Sequence, residues 1–232
     1  MLFLLFDKMR TFLTLDFRAL ALAIVIGLII FFAGGQMGWF FLAVILFFLV
    51  LSAVVTRIGK KRKVRLGVYE ESRGWKNVIS NGIVPVVIVA LFAFYPESAG
   101  KAASYAIIAA YISSVAAITA DKFSSELGVL GNAPRMIFTF RKVKRGVSGG
   151  VTGVGLAAGL IGAALISTFG VTSGIDFASL FAITTLSGLA GDIVDSAAGY
   201  FEEKGFGSKY TSNIAAAVAG AAIGGFLFLL IA

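Results

Sequence analysis

Residues 102–128 read AASYAIIAAYISSVAAITADKFSSELG. The part from Ala102 to Ala120 is long and apolar enough to cross a bilayer as a helix, and it leads directly into the acidic cluster Asp121 to Gly128. Carboxylates at membrane depth are costly and are retained mostly where they line a polar cavity. The stretch therefore predicts a membrane helix that carries part of a buried polar site.

A second acidic cluster repeats this pattern at Asp192 to Gly199, again at the end of an apolar segment. In both clusters a serine follows the first aspartate by four residues and a glycine follows it by seven. We interpret this match as a weak internal repeat. Because repeats commonly place the site of a membrane protein at their interface, we expect the two clusters to lie together.

The composition of the chain indicates an integral membrane protein. Its 232 residues are 59% hydrophobic, with a mean hydropathy of +0.96, and we treat residues 1–232 as a single membrane domain. Cysteine and histidine are both absent, which excludes disulfides, thiolate or imidazole metal sites and histidine general bases. Carboxylates, hydroxyls, amides, lysine and arginine remain for chemistry.

The apolar segments predict an all-α, polytopic membrane helix bundle with about seven transmembrane helices. The predicted spans are 20–32, 39–55, 78–95, 102–120, 151–169, 177–200 and 214–231. The first is the least well defined because it is short. The apolar run at the start, Met1 to Arg10, is predicted to be an interfacial helix.

The distribution of basic residues predicts how these spans are oriented across the membrane. Nineteen of the 20 lysine and arginine residues fall on one side of it, and only Lys101 falls on the other. The positive-inside rule assigns the basic side to the cytoplasm, with the N-terminus inside and the C-terminus outside a cell membrane. Both acidic clusters then lie at the cytoplasmic boundary, and 121–150 forms a cytoplasmic active-site loop. Basic residues beside apolar spans meet lipid or phosphate, so we expect no nucleic-acid partner.

The acidic clusters favour a magnesium site. Asp192, Asp195 and Ser196 share one helical face. Magnesium prefers one or two carboxylates together with water and substrate phosphate. Asp121 and Glu126 add two carboxylates near a helix C-terminus, where the helix dipole disfavours negative charge unless a cation is present. The alternative is a solvated helix end whose acids pair with nearby lysines.

A basic, glycine-rich segment follows the first cluster and reads RKVKRGVSGGVTG over 141–153. Glycines let backbone amides approach an anion, and a helix N-terminus adds its dipole, so the segment is suited to cradle phosphate. It does not match the Walker A motif. The alternatives are that its basic residues set the topology and that its glycines allow close helix packing.

Arg73, Asn77 and Asn81 are spaced by four residues and share one helix face. The planar guanidinium of Arg73 suits phosphate, whereas asparagines in a span also hydrogen-bond to neighbouring helices. The trio is therefore either part of a substrate site or a structural contact.

Four groups of residues point to a known family. They are RGWKNV at 73–78 with Asn81 and Gly82, AD at 120–121 with SELGVL at 125–130, PRMI at 134–137 with Gly146 and SGG at 148–150, and DS at 195–196 with Gly199. Over most of 71–213 the sequence resembles the integral-membrane family of the plant phytyl-phosphate kinase and its archaeal and bacterial relatives. It departs from the expected pattern at Lys122, where a small hydroxyl residue is expected, and at Val147, where threonine is expected.

The resemblance implies a membrane-embedded kinase that transfers a phosphoryl group from CTP to a prenyl monophosphate of phytyl or geranylgeranyl type. The product is the prenyl diphosphate. A phosphate acceptor arrives already ionised, which suits a chain without histidine. The alternatives are a lipid-alcohol kinase, a cytidylyltransferase or a carrier for a phosphorylated metabolite. Short, nearly uncharged external loops argue against a carrier.

In this hypothesis each group of residues has a role. The residues expected to act in catalysis and to hold Mg²⁺ are Asp121, Glu126, Asp192 and Asp195. Arg73, Asn77 and Asn81 are expected to bind the lipid phosphate. The residues expected to bind the nucleotide and its phosphates are Lys122, Ser125, Arg135, Lys142, Lys144, Arg145, Ser148, Gly149, Gly150 and Ser196.

Overall fold

The computed structural model describes residues 9, 11, 13–70, 72–94 and 100–231, and these are mostly helical. The helices of at least six residues within these ranges are α1 (Phe17–Ala33), α2 (Gly38–Arg57), α3 (Lys60–Arg65), α4 (Trp75–Phe94), α5 (Lys101–Gly128), α6 (Gly153–Ser167), α7 (Phe177–Glu202) and α8 (Lys209–Ile231). Two short strands, β1 (Arg135–Met136) and β2 (Gly150–Val151), pair antiparallel between α5 and α6. The predicted all-α, polytopic bundle is confirmed. The predicted interfacial helix at 1–10 lies almost wholly outside the described residues.

The predicted count of about seven spans compares with six long apolar helices and one shorter apolar helix among the described residues. Within the described ranges, six helices are long and apolar enough to cross a membrane. Helix α1 is apolar but has only 17 residues. At the usual helical rise this is about 25 Å, which is shorter than a hydrocarbon core of about 30 Å. Its N-terminus is capped by Asp16, whose carboxylate accepts a hydrogen bond from the Ala19 amide at 2.7 Å.

Helix α5 forms the centre of the bundle. It packs against α6, α7 and α8, and every residue from Tyr111 to Ala120 is buried. Small residues allow this close approach, because a Cβ added at Gly188, Gly191 or Gly220 would lie 2.5–2.7 Å from an atom of α5. The end of α5 is therefore held firmly among three other helices.

Contacts between distant segments collect the polar helix ends at one end of the bundle. Lys63, just after α2, reaches Glu126 of α5 at 2.6 Å. The loop residue Gly149 packs directly on Gly199 of α7. The predicted grouping of these segments on one face of the threading agrees with these contacts.

The loop that we predicted at 121–150 begins later than expected. Helix α5 continues to Gly128, so the whole acidic cluster is helical and the loop starts at Val129. Two contacts stabilise the extension. Lys122 and Glu126 form an ion pair one turn apart, and Gly159 of α6 packs against the first turn of the cluster.

Cysteine labelling tests the orientation of the bundle, because the chain has no natural cysteine. We expect Asn132→Cys and Lys204→Cys, both exposed at the basic end, to react with a reagent confined to the cytoplasm. Val171→Cys, 68% exposed at the opposite end, should react only from outside. Labelling of the Val171→Cys protein from the cytoplasm would contradict the threading.

Candidate functional site

A polar cavity lies where α5, α6 and α7 meet the 129–149 loop and the start of α8. Its volume is ≈ 240 Å³. The polar side chains that line it include Asp121, Ser124, Ser125, Arg145, Ser148, Thr152, Asp192, Asp195, Ser196, Glu202, Lys209 and Asn213. The two acidic clusters, expected to lie together, thus line the same cavity.

Three aspartates from two helices face one another in this cavity. Asp192 is 2% exposed, and its Oδ2 lies 2.5 Å from the hydroxyl of Ser124. The carboxyl groups of Asp121 and Asp195 lie within hydrogen-bonding reach of each other. Asp195 Oδ1 is buried and has no hydrogen-bond partner among the described residues. Because ionised carboxylates this close repel each other, the arrangement calls for a proton or a cation between them.

The chemistry of these aspartates fits a magnesium ion that is shared with a substrate. Within the described part of the chain, no group of three or more acidic residues is arranged so that it could hold a metal ion together. Magnesium usually takes one or two carboxylates and completes its shell with water and phosphate oxygens. The unpartnered Asp195 Oδ1 is an oxygen that such an ion would use. Asp121, Asp192 and Asp195 therefore remain candidate ligands.

Glu126 faces away from the cavity. Its carboxylate contacts Lys63 at 2.6 Å, Arg73 at 3.3 Å and Lys122, and we call these four residues the Glu126 cluster. Five positions separate Glu126 from Asp121, which turns the two side chains about 140° apart on a helix. The prediction that Glu126 helps to hold magnesium, and that Lys122 binds nucleotide, is therefore replaced: both belong to this ion cluster.

The glycine-rich segment packs on α7 instead of forming an open anion cradle. Gly149 has a φ of +75°, and a Cβ on Gly199 would lie 2.5 Å from its amide nitrogen. Two of the three amides that we expected to bind phosphate already donate: Ser148 to Glu203 Oε1 at 3.1 Å, and Gly150 to a carbonyl within the loop. The alternative reading, close packing, thus accounts for these glycines.

The cations that we expected around the nucleotide divide into two groups. Arg145 lines the cavity, and its Nε donates to a loop carbonyl at 3.1 Å. Arg135, Lys142 and Lys144 are exposed and do not line it. An isolated antiparallel β-bridge pairs Arg135 with Lys142, so the loop folds back on itself here. The side chains of these exposed cations therefore lie in solvent. Lys209, which was not among the residues expected at the site, also lines the cavity.

Arg73, Asn77 and Asn81 line a separate apolar groove between α1, α2 and α4. The groove and the cavity share a wall. Asn81 Oδ1 accepts a hydrogen bond from Asn213 Nδ2 at 3.1 Å, and Asn213 lines the cavity. Asn81 thus contacts the cavity wall, and none of the three residues lines the cavity itself.

Glu70 forms a second link across this wall. Its carboxylate contacts Arg73 at 3.5 Å and Lys209 at 3.4 Å. Partial burial by itself would raise the pKa of Glu70, but Lys209, Arg73 and Lys122 together hold the pKa below its ordinary value. Glu70 is therefore ionised at neutral pH and ties the groove to the cavity.

Sequence reasoning did not identify Lys63, Thr152 or Asn213 as site residues. Lys63 stands in a run of basic residues that looks topogenic, yet it is fully buried. Thr152 caps α6 by accepting a hydrogen bond from the Gly155 amide at 3.0 Å. A hydroxyl just before a glycine-rich helix is a capping signal that could have been recognised.

Comparisons with known proteins assign the chain to a family. A family model described as "Integral membrane protein DUF92" matches residues 2–230. An uncharacterized membrane protein of Methanocaldococcus jannaschii is 38% identical over 82% of this chain and 77% of its own length. Protein PGR of Arabidopsis thaliana is 32% identical over 68% of this chain and 62% of its own length. An uncharacterized membrane protein of Synechocystis is 35% identical over 72% of this chain and 67% of its own. No solved structure matches. The chain therefore belongs to the DUF92 family of integral membrane proteins.

Proposed function

We propose that the protein is a membrane-embedded kinase that transfers the γ-phosphoryl group of CTP to a prenyl monophosphate. The observation that carries this proposal is the convergence of Asp121, Asp192 and Asp195 with Lys209 and Arg145 in one cavity. Phosphoryl transfer needs positioning and charge neutralisation, and this set of carboxylates and cations is suited to both. The resemblance of the sequence to the phytyl-phosphate kinase family supports the choice of CTP and of a prenyl acceptor.

In the proposed reaction an oxygen of the lipid phosphate forms a bond to the γ-phosphorus of CTP. The bond from that phosphorus to the β,γ-bridging oxygen breaks, and CDP leaves with both electrons. Asp195, together with Asp121 or Asp192, would hold Mg²⁺, which when bound supplies positive charge to the phosphate oxygens. Lys209 and Arg145, which line the same cavity, would orient the nucleotide phosphates.

The choice of a phosphate acceptor over an alcohol rests on the proton balance. An alcohol must lose a proton during transfer, whereas a phosphate monoester has a second pKa near 6 and is largely ionised at neutral pH. The chain has no histidine that could act as a general base. A monophosphate acceptor does not need one.

An acceptor panel tests the proposal. Purified protein with CTP and magnesium is supplied in parallel with geranylgeraniol, geranylgeranyl monophosphate and phytyl monophosphate. We expect diphosphate to form from the monophosphates and no product to form from the alcohol. Product from the alcohol alone would identify a lipid-alcohol kinase, and no product from any acceptor would favour a carrier.

Lys144 and Arg145 form a matched pair that tests the placement of the nucleotide. Arg145→Gln should raise the KM for CTP about tenfold or more, because a charge-assisted hydrogen bond contributes roughly 1.5–3 kcal/mol. Lys144→Gln removes the same charge from the same loop, but its side chain is exposed and does not line the cavity. It should leave the KM within about twofold. Equal effects of the two changes would show that the loop acts only through its overall charge.

A further inference from the structure

The groove that contains Arg73, Asn77 and Asn81 is apolar along most of its length. Its walls come from α1 at Ala23 to Gly27, from α2 at Ile45 to Ser52, and from the start of α4. The stretch on α2 extends for about 10 Å at the usual helical rise. Leu46 lines the groove and is 48% exposed, so the groove opens on the outer surface of the bundle. Its lining, which is mostly apolar, suits a hydrocarbon chain.

One end of the groove is polar and incompletely satisfied. Arg73 Nε and Asn77 Oδ1 are both buried and have no hydrogen-bond partner among the described residues. Leaving buried polar atoms unpaired is costly, so such atoms commonly mark the position of a ligand or an ordered water. Both side chains line the groove. A ligand that fills the slot is therefore expected to bring a polar group to this end.

The charge at this end favours an anionic group. The Glu126 cluster and the Glu70 contacts join four cations, Lys63, Lys122, Arg73 and Lys209, to two carboxylates. Four positive charges face two carboxylates here, and Asp121 of the neighbouring cavity interacts with Lys209, Arg73 and Lys122, which leaves an excess of about one positive charge. Lys63 and Lys122 are nearly fully buried, so solvent screens this excess poorly. A phosphate monoester at the groove end would offset it.

The groove end also lies beside the cavity. Two links cross the shared wall described above. Asn81 of the groove contacts Asn213 of the cavity directly, and Arg73 of the groove is linked to Lys209 of the cavity through Glu70. An anion bound by Arg73 is thus separated from the cavity by little more than Glu70. Glu70 is half exposed, and a phosphate bound at this end would compete with it for Arg73.

We infer that this groove binds the hydrocarbon chain of an isoprenoid monophosphate, with its phosphate accepting a hydrogen bond from Arg73 Nε and its tail running between α1 and α2. The inference rests on the proposed function for the isoprenoid identity of the chain. It adds a location for the tail: the tail lies in the groove, and Asn81 and Glu70 stand between it and the nucleotide cavity. The chain-length preference of the protein is then set by α1 and α2.

Two alanines of α1 provide a matched test. Ala23 lines the groove, whereas Ala21 lies two residues away, is exposed and does not line it. We measure binding of geranylgeranyl monophosphate, dimethylallyl monophosphate and CTP to the detergent-purified protein. Ala23→Phe should weaken geranylgeranyl monophosphate binding about tenfold, the effect of displacing two buried methylene groups, and leave the other two unchanged. Ala21→Phe should change none of them.

Other results would separate the two proposals. Unchanged geranylgeranyl monophosphate binding by Ala23→Phe would overturn the groove assignment while the proposed function stands. Equal weakening for a saturated phosphatidic acid would overturn the isoprenoid assignment and indicate a general lipid slot. Absence of prenyl monophosphate binding by the unmodified protein would overturn both. If geranylgeranyl monophosphate binds in the groove but is not converted to the diphosphate, the groove assignment stands and the proposed kinase function is rejected.

A second pair of variants guards against misfolding of Ala23→Phe. Leu46→Trp fills the open mouth of the groove, where the side chain is already 48% exposed. Val50→Trp on the same helix starts from a side chain that is 41% exposed and does not line the groove. We expect only Leu46→Trp to weaken geranylgeranyl monophosphate binding. Identical behaviour of the two variants would contradict the inference.

Discussion

Asp195→Asn is expected to reduce turnover at least about a hundredfold while the protein remains folded. The change removes negative charge from a crowded group of carboxylates, so the melting temperature should stay the same or rise. Activity should fall because the same charge would hold the metal that stabilises the transferring phosphoryl group. Turnover of labelled CTP and thermal unfolding, measured on one preparation, check both expectations.

Asp176→Asn is the matched control for this prediction. Asp176 belongs to the same helix but caps its opposite end, where it accepts a hydrogen bond from the Ser179 amide at 2.9 Å. Asparagine is a comparable N-cap residue, so activity and melting temperature should both stay near their original values. Near-normal turnover in Asp195→Asn would remove this aspartate from the metal site.

Glu126→Gln is expected to have the opposite profile, with a large loss of stability. The change leaves Lys63, Lys122 and Arg73 without their shared carboxylate in a buried position. Removing one partner from a buried ion pair typically costs about 3–5 kcal/mol. Chemical unfolding in detergent measures the free energy of unfolding directly.

Glu203→Gln serves as the control for Glu126→Gln. Glu203 is exposed and accepts a single hydrogen bond, from the Ser148 amide. Its replacement should lower the free energy of unfolding by less than about 1 kcal/mol. If Glu126→Gln were as stable as Glu203→Gln but had lost its magnesium requirement, Glu126 would be a metal ligand after all.

The fold class and the meeting of the two acidic clusters were accessible from the sequence. Long apolar segments predict membrane helices because a bilayer leaves the backbone few other choices. Asp121, Asp192 and Asp195 stood out because carboxylates beside apolar runs are rare without a function. The local rules behind these predictions depend on residues near one another in the chain.

The errors arose where packing between distant segments of the chain determines the role of a residue. Asp121 and Glu126 lie in one short motif, and only the helical turn together with the approach of Lys63 from another segment separates their roles. Gly149 looked like part of an anion cradle, but its contact with Gly199 depends on how the loop meets α7. The groove beside Arg73 is formed by three helices, and no single segment carries its pattern.

The fate of the CTP phosphates tests the central claim most directly. Purified protein, magnesium and geranylgeranyl monophosphate are incubated with CTP labelled either in the γ-phosphate or in the α-phosphate. The account predicts that the γ-label appears in the lipid product, that the α-label does not, and that CDP forms in equal amount to the lipid diphosphate. Transfer of the α-label to the lipid with release of diphosphate would identify a cytidylyltransferase and contradict the account.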